Sequence, residues 1–197
     1  MSADSSSSSS AAPPPIKKPR KTYNNDATVI YFKSDKANGF SFLSNFWPDV
    51  SERSFLAVSE AIRDANAAFT VDGVTFKTVE HFFQHAKYKK VNAVAAEEIR
   101  TAPTALDAKK TNTKWKRSQP IDVAAWELDG EATMLAALRA KFKFGTELAR
   151  ALVATGNRRL VEVPGRSKDR WAGDDGLMSK LLAQVRDELI QKDSSDN

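Results

Sequence analysis

The chain has 197 residues, 41% of them apolar, enough for one sizeable core and short for two. It contains no cysteine and two histidines, which excludes a disulfide framework, a thiol nucleophile and a thiolate metal site, and leaves no metal centre to expect. The formal charge is +5, but residues 1–25 hold four basic side chains and Asp4, a net +3, so the rest of the chain carries +2 and the pI near 9.4 argues only weakly for a broad nucleic-acid-binding face.

Residues 1–25 read as a disordered tail: six serines from Ser5 to Ser10, Pro13 to Pro15, then Lys17-Lys18-Pro19-Arg20-Lys21, a composition that cannot bury a core. The basic cluster Lys17 to Lys21 fits a short nuclear-import signal and equally a solvated charge run. The tail is polar and no apolar run approaches the roughly 18 residues that span a bilayer, so a cytoplasmic or nuclear protein with no membrane partner is expected. A single domain follows over 26–192, with a disordered C-terminus at 193–197.

Thr28 to Phe32 is a short β-prone run. Residues 51–68 carry a helical pattern. Phe69 to Val71 and Val74 to Phe76 flank Asp72-Gly73, a hairpin signal. Helices are predicted at 79–90, 93–101, 104–110, 131–143, 146–154 and 176–191, with a strand at 160–163. The pattern is that of an α+β fold, mainly α-helical with a small β-sheet.

The helix that begins after Thr78, a suitable N-cap, carries the most chemistry. With about 100° of rotation per residue, Glu80, Gln84 and Lys87 fall within about 60° of one another on one face. Val79, Phe82, Phe83 and Ala86 fill the adjoining arc, so one side buries while the polar stripe sits at the core's edge. A carboxylate, an amide and an amine can there meet one ligand. The plainer reading of the same spacing is an exposed Glu and Lys on an ordinary amphipathic helix.

The string Thr78 to Tyr88 (TVEHFFQHAKY), with Phe40 to Pro48 (FSFLSNFWP) upstream, resembles the two signature motifs of the NADAR (YbiA-like) family. Trp126 followed by Met134, Leu138 to Phe142, and Leu152 to Gly156 resemble further family elements in the same order, and Asp169 to Arg186 resembles its C-terminal block. The resemblance covers about residues 28 to 190. Three departures stand out. Residues 51–68 are extra, Trp171 is displaced by one position, and Gly176 replaces the usual Asn.

The resemblance implies an N-glycosidase that splits the bond between C1 of a ribose and a nitrogen. The substrates associated with the family are ADP-ribose on the amino group of guanine and a phosphorylated intermediate of riboflavin synthesis. A non-catalytic module that binds ADP-ribose or nucleic acid is the third possibility. The expected catalytic residues are Glu80, a carboxylate that stabilises positive charge at the sugar, with Asp169 as its partner and Lys87 as phosphate ligand or amine nucleophile. A structural pairing of Asp169 with Arg170 is equally compatible with the sequence. Ser44, Asn45, Phe46, Gln84, Trp126, Arg170 and Trp171 are expected to bind substrate, through hydrogen bonds and stacking on a flat heterocycle. Trp47 and Trp115 serve equally as buried anchors. Arg158, Arg159, Arg166 and Lys168 are candidate anion ligands near the same loop. The implied partner is ADP-ribosylated guanine, in nucleotide, DNA or RNA, bound by a monomer without a cofactor.

Overall fold

The computed structural model describes residues 22–165 and 170–195. The import-like cluster and three of the expected site residues, Asp169, Arg166 and Lys168, lie outside the described residues. Strand β1 (Val29–Phe32) pairs in parallel with β4 (Arg159–Glu162), Val29 opposite Arg159. Ile30, Phe32 and Leu160 are buried in this pair. Parallel pairing requires a long crossover, and residues 33–158 form it. Strands β2 (Phe69–Val71) and β3 (Val74–Phe76) make the antiparallel hairpin expected around Asp72-Gly73, both with positive φ (51° and 77°), as such a turn requires.

Within the crossover lie a 3-10 turn at Ser41–Leu43 and helices α1 (Glu52–Leu56), α2 (Glu60–Asp64), α3 (Val79–Ala86), α4 (Ala93–Arg100), α5 (Ala105–Ser118), α6 (Val123–Lys141) and α7 (Glu147–Val153), with α8 (Leu177–Ser195) after β4. The fold is α+β and mainly helical. Capping explains where the middle helices begin. Thr78, Asn92, Thr104, Asp122 and Thr146 each accept a hydrogen bond from the backbone N–H three residues on, which satisfies a donor the helix itself leaves free. One core joins the β1–β4 pair, α3, α6, α7 and α8, and a smaller one lies under α4 and α5.

The structure departs from the expected boundaries in five places: α3 ends at Ala86, four residues short, α8 runs to Ser195, four residues beyond, and three further differences follow. Helix α5 runs to Ser118, eight residues beyond the sequence estimate. Its apolar period fades after Ala108, yet the buried face continues with Asn112, and Trp115 donates its indole N–H to Glu98 of α4 at 2.8 Å. Helix α6 starts at Val123, eight residues early, because Asp122 caps it. The extra segment at 51–68 forms two short helices, and Phe55 of α1 stacks on Trp47 at 5.2 Å. Near the N-terminus, Tyr23 packs its ring on Tyr31 and Asn25 accepts from the Tyr31 N–H, so these residues line β1.

Gly176 is required by close approach. A Cβ there would stand 2.3 Å from the Trp171 carbonyl oxygen and 2.7 Å from the Ala172 carbonyl carbon. The loop folds back so tightly that the N–H groups of Leu177 and Met178 donate to the carbonyls of Arg170 and Trp171.

Candidate active site

The segment 41–48 and the start of α3 are tied together through backbone. The Glu80 N–H, one of the free donors of the first helical turn, donates to the Asn45 carbonyl at 3.0 Å. Ser44 is buried, accepting at Oγ from the Phe46 N–H, and its carbonyl accepts from Lys141 Nζ at 2.8 Å. Lys141 lies in the last turn of α6 and is 4% exposed; burial pushes its amine down to about 7. Ser44 therefore shapes the loop and holds it to α6. The Asn45 side-chain oxygen is buried without a hydrogen-bond partner among the described residues.

Glu80, Gln84 and Lys87 form one chain of hydrogen bonds. Gln84 Nε2 donates to Glu80 Oε1 at 2.7 Å, and Lys87 Nζ donates to Gln84 Oε1 at 2.7 Å. Glu80 is 5% exposed, and desolvation raises its pKa; Lys109, the Gln84 amide and Lys87 work in the opposite direction. Lys87 is half-buried. Desolvation lowers its pKa to about 8 despite the attraction of Glu80, with Lys116 and Lys109 adding to the fall. The carboxylate and amine are thus both drawn from their solution values toward neutrality, as acid and base catalysts often are.

An aromatic wall borders the amine. Lys87 Nζ lies 5.0 Å from the Phe83 ring centre and 5.4 Å from that of Trp126. Trp126 and Trp171 both meet Phe83 edge to face, at 5.1 and 5.2 Å, so the structure brings the two expected stacking residues together. Arg170 covers the Trp171 ring and donates to the Glu127 carbonyl. A cavity of about 540 Å³ opens beside this wall, bordered by Phe82, Ala86, Lys87, Trp126 and Asp129.

Helix α5 packs against α3. Lys109 lies 5.8 Å from the Phe46 ring centre. Asn112 is 9% exposed, its side-chain oxygen buried without a partner among the described residues. The site residues expected from the sequence do not include Lys109, Asn112 or Lys116. Their i, i+3, i+7 spacing puts them on one helix face, but that signal needs α5 to continue past residue 110. Of the expected anion ligands, Arg158 donates to the Thr155 carbonyl and Arg159 pairs with Asp174 at 3.7 Å. Trp47 is a buried anchor, and no helix among the described residues is long and apolar enough to cross a membrane.

The model of the NADAR domain family matches residues 31–190. N-glycosidase YbiA of Escherichia coli (strain K12) is 35% identical over 125 residues, covering 60% of this chain and 74% of that protein; the protein of the same name from Shigella boydii matches equally. Riboflavin biosynthesis protein VVA0006 of Vibrio vulnificus is 27% identical over 167 residues, 82% of this chain but 38% of that protein. The NMR structure of Escherichia coli YbiA superposes with a TM-score of 0.63 at 28% identity, covering 86% of this chain and 89% of that one. With the family match running through every helix that carries the site, this chain belongs to the NADAR domain family.

Proposed function

We propose that the protein is an N-glycosidase, and that its substrate is guanine ADP-ribosylated on its amino group, in a nucleotide or in nucleic acid. The observation that carries the reading is the buried Glu80 linked through Gln84 to Lys87, beside an aromatic wall fit for a flat ring. The name of the YbiA relatives supports the glycosidase class. Glu80 protonates the ring oxygen as the C1–O bond breaks, which opens the ribose and leaves the guanine nitrogen joined to C1 as an iminium whose positive charge the resulting carboxylate stabilises. The neutral Lys87 amine then attacks C1 and displaces the guanine amine, and water hydrolyses the new Lys87 iminium to release ADP-ribose. Action inside a cell nucleus, directed by Lys17 to Lys21, would suit a nucleic-acid substrate.

A second reading, cleavage of a phosphorylated riboflavin intermediate, is favoured by the Vibrio vulnificus relative. The deciding experiment incubates the protein with a guanine-ADP-ribosylated oligonucleotide and with the aminopyrimidine ribose phosphate, assaying free ADP-ribose and ribose phosphate. ADP-ribose release by wild type, reduced at least about a hundredfold in Glu80→Gln, is the expected result. Cleavage of the pyrimidine alone would establish the second reading, and binding without either product would leave a non-catalytic module.

A further inference from the structure

The site carries more positive charge than its hydrogen-bonded chain uses. Three amines, Lys87, Lys109 and Lys116, act on the single carboxylate Glu80 or on one another. Lys87 is held by Gln84. Lys109 and Lys116 make no ion pair among the described residues, whereas Lys110 and Lys114 of the same helix pair with Asp107 and Glu98. Helical rotation of about 100° per residue separates Lys109 and Lys116 by only about 20°, and turns Lys110 about 100° away from Lys109. Between them lies Asn112, with its buried oxygen unpartnered. Lys87, on which Lys109 and Lys116 both act, lies 5.0 Å from the Phe83 ring centre and 5.4 Å from that of Trp126, and Trp126 and Trp171 meet Phe83 edge to face. The two groups differ in kind: one is cationic and the other aromatic.

We propose that Lys109 and Lys116 form a phosphate-binding face that receives the diphosphate of a nucleoside-diphosphate ligand, fixing its direction so that a flat ring reaches the Trp126–Trp171 wall past Lys87. The inference rests on the reading that the site takes a ribose nucleotide. Two adjacent ammonium groups attract a diphosphate as point charges without requiring fixed fork geometry, and the buried Asn112 amide gives the face a neutral polar contact for a ribose hydroxyl. An anion there also holds Glu80 and Lys109 apart electrostatically, leaving the carboxylate to the sugar.

Calorimetric titration of the full-length protein with ADP-ribose, inorganic pyrophosphate and adenosine tests the assignment. The Lys109→Gln/Lys116→Gln variant is expected to bind ADP-ribose and pyrophosphate at least roughly tenfold more weakly and adenosine as wild type does. Lys110→Gln, turned away from Lys109 on α5, should change none of the three. Unaltered ADP-ribose affinity in the double variant overturns the proposal, as does equal weakening of adenosine or failure of wild type to bind both phosphate ligands. Wild-type binding of pyrophosphate and ADP-ribose, lost in the double variant, supports the anion face even if the hydrolysis assay shows no turnover; in that case the hydrolase reading alone fails.

Discussion

Lys141 gives the sharpest physical prediction because its amine is buried and its pKa falls from 10.5 to about 7 on folding. The perturbation is Lys141→Met, which keeps much of the length while removing the charge and the hydrogen bond to the Ser44 carbonyl. Below about pH 7 both folded and unfolded chains hold the proton, and the full cost of burying the ammonium is present. As the pH rises above 7 the folded amine loses its proton while the unfolded one keeps it, so the unfolded state binds more protons and wild-type stability rises. With a folded value of about 7, the gain between about pH 7 and about pH 9 is about 2 kcal/mol. The Met variant lacks this gain. It also removes one of the two donors to the Ser44 carbonyl, which keeps the Trp47 N–H at 3.2 Å, a cost of about 0.5–1.5 kcal/mol that does not vary with pH. Urea denaturation of both proteins at the two pH values measures the difference, and every titrating group they share cancels. Parallel stability curves would refute the argument, since they would mean that the Lys141 amine titrates alike in the folded and unfolded states.

The pH profile of turnover follows from Lys87: its neutral fraction grows as pH rises through about 8, so kcat on the ADP-ribosylated oligonucleotide should climb between about pH 7 and about pH 9. Borohydride added during turnover should leave an ADP-ribosyl adduct on Lys87, and a flat profile with no adduct would confine Lys87 to binding. Gly176→Ala should destabilise the protein by about 1–3 kcal/mol, because its Cβ meets the Trp171 and Ala172 backbone and not a yielding side chain. Thermal unfolding checks this, and an unchanged melting temperature would show that the loop relaxes at little cost.

The α3 stripe was legible in the sequence because it is local. Thr78, Glu80, Gln84 and Lys87 sit on one helix, and helical rotation alone puts the last three on one face; the hydrogen bonds between them then follow from reach. The hairpin was legible for the same reason, since Asp72-Gly73 can adopt its positive φ values wherever the strands lie. The α5 face was not legible. Its interior is polar from Lys109 to Thr113, so hydrophobic periodicity ended the helix early and gave no sign that Asn112 is buried. The parallel pairing of β1 with β4, separated by most of the chain, carries no local signal either. Local spacing by itself determined that a carboxylate, an amide and an amine share a face. Only the tertiary structure decided that Glu80 is desolvated, that Lys141 and the Asn45 carbonyl hold the neighbouring loop, and that α5 brings Lys109 to act on Glu80 and Lys116 on Lys87. Desolvation and charge proximity depend on what other segments bring within a few ångströms, and periodicity along one helix does not encode that.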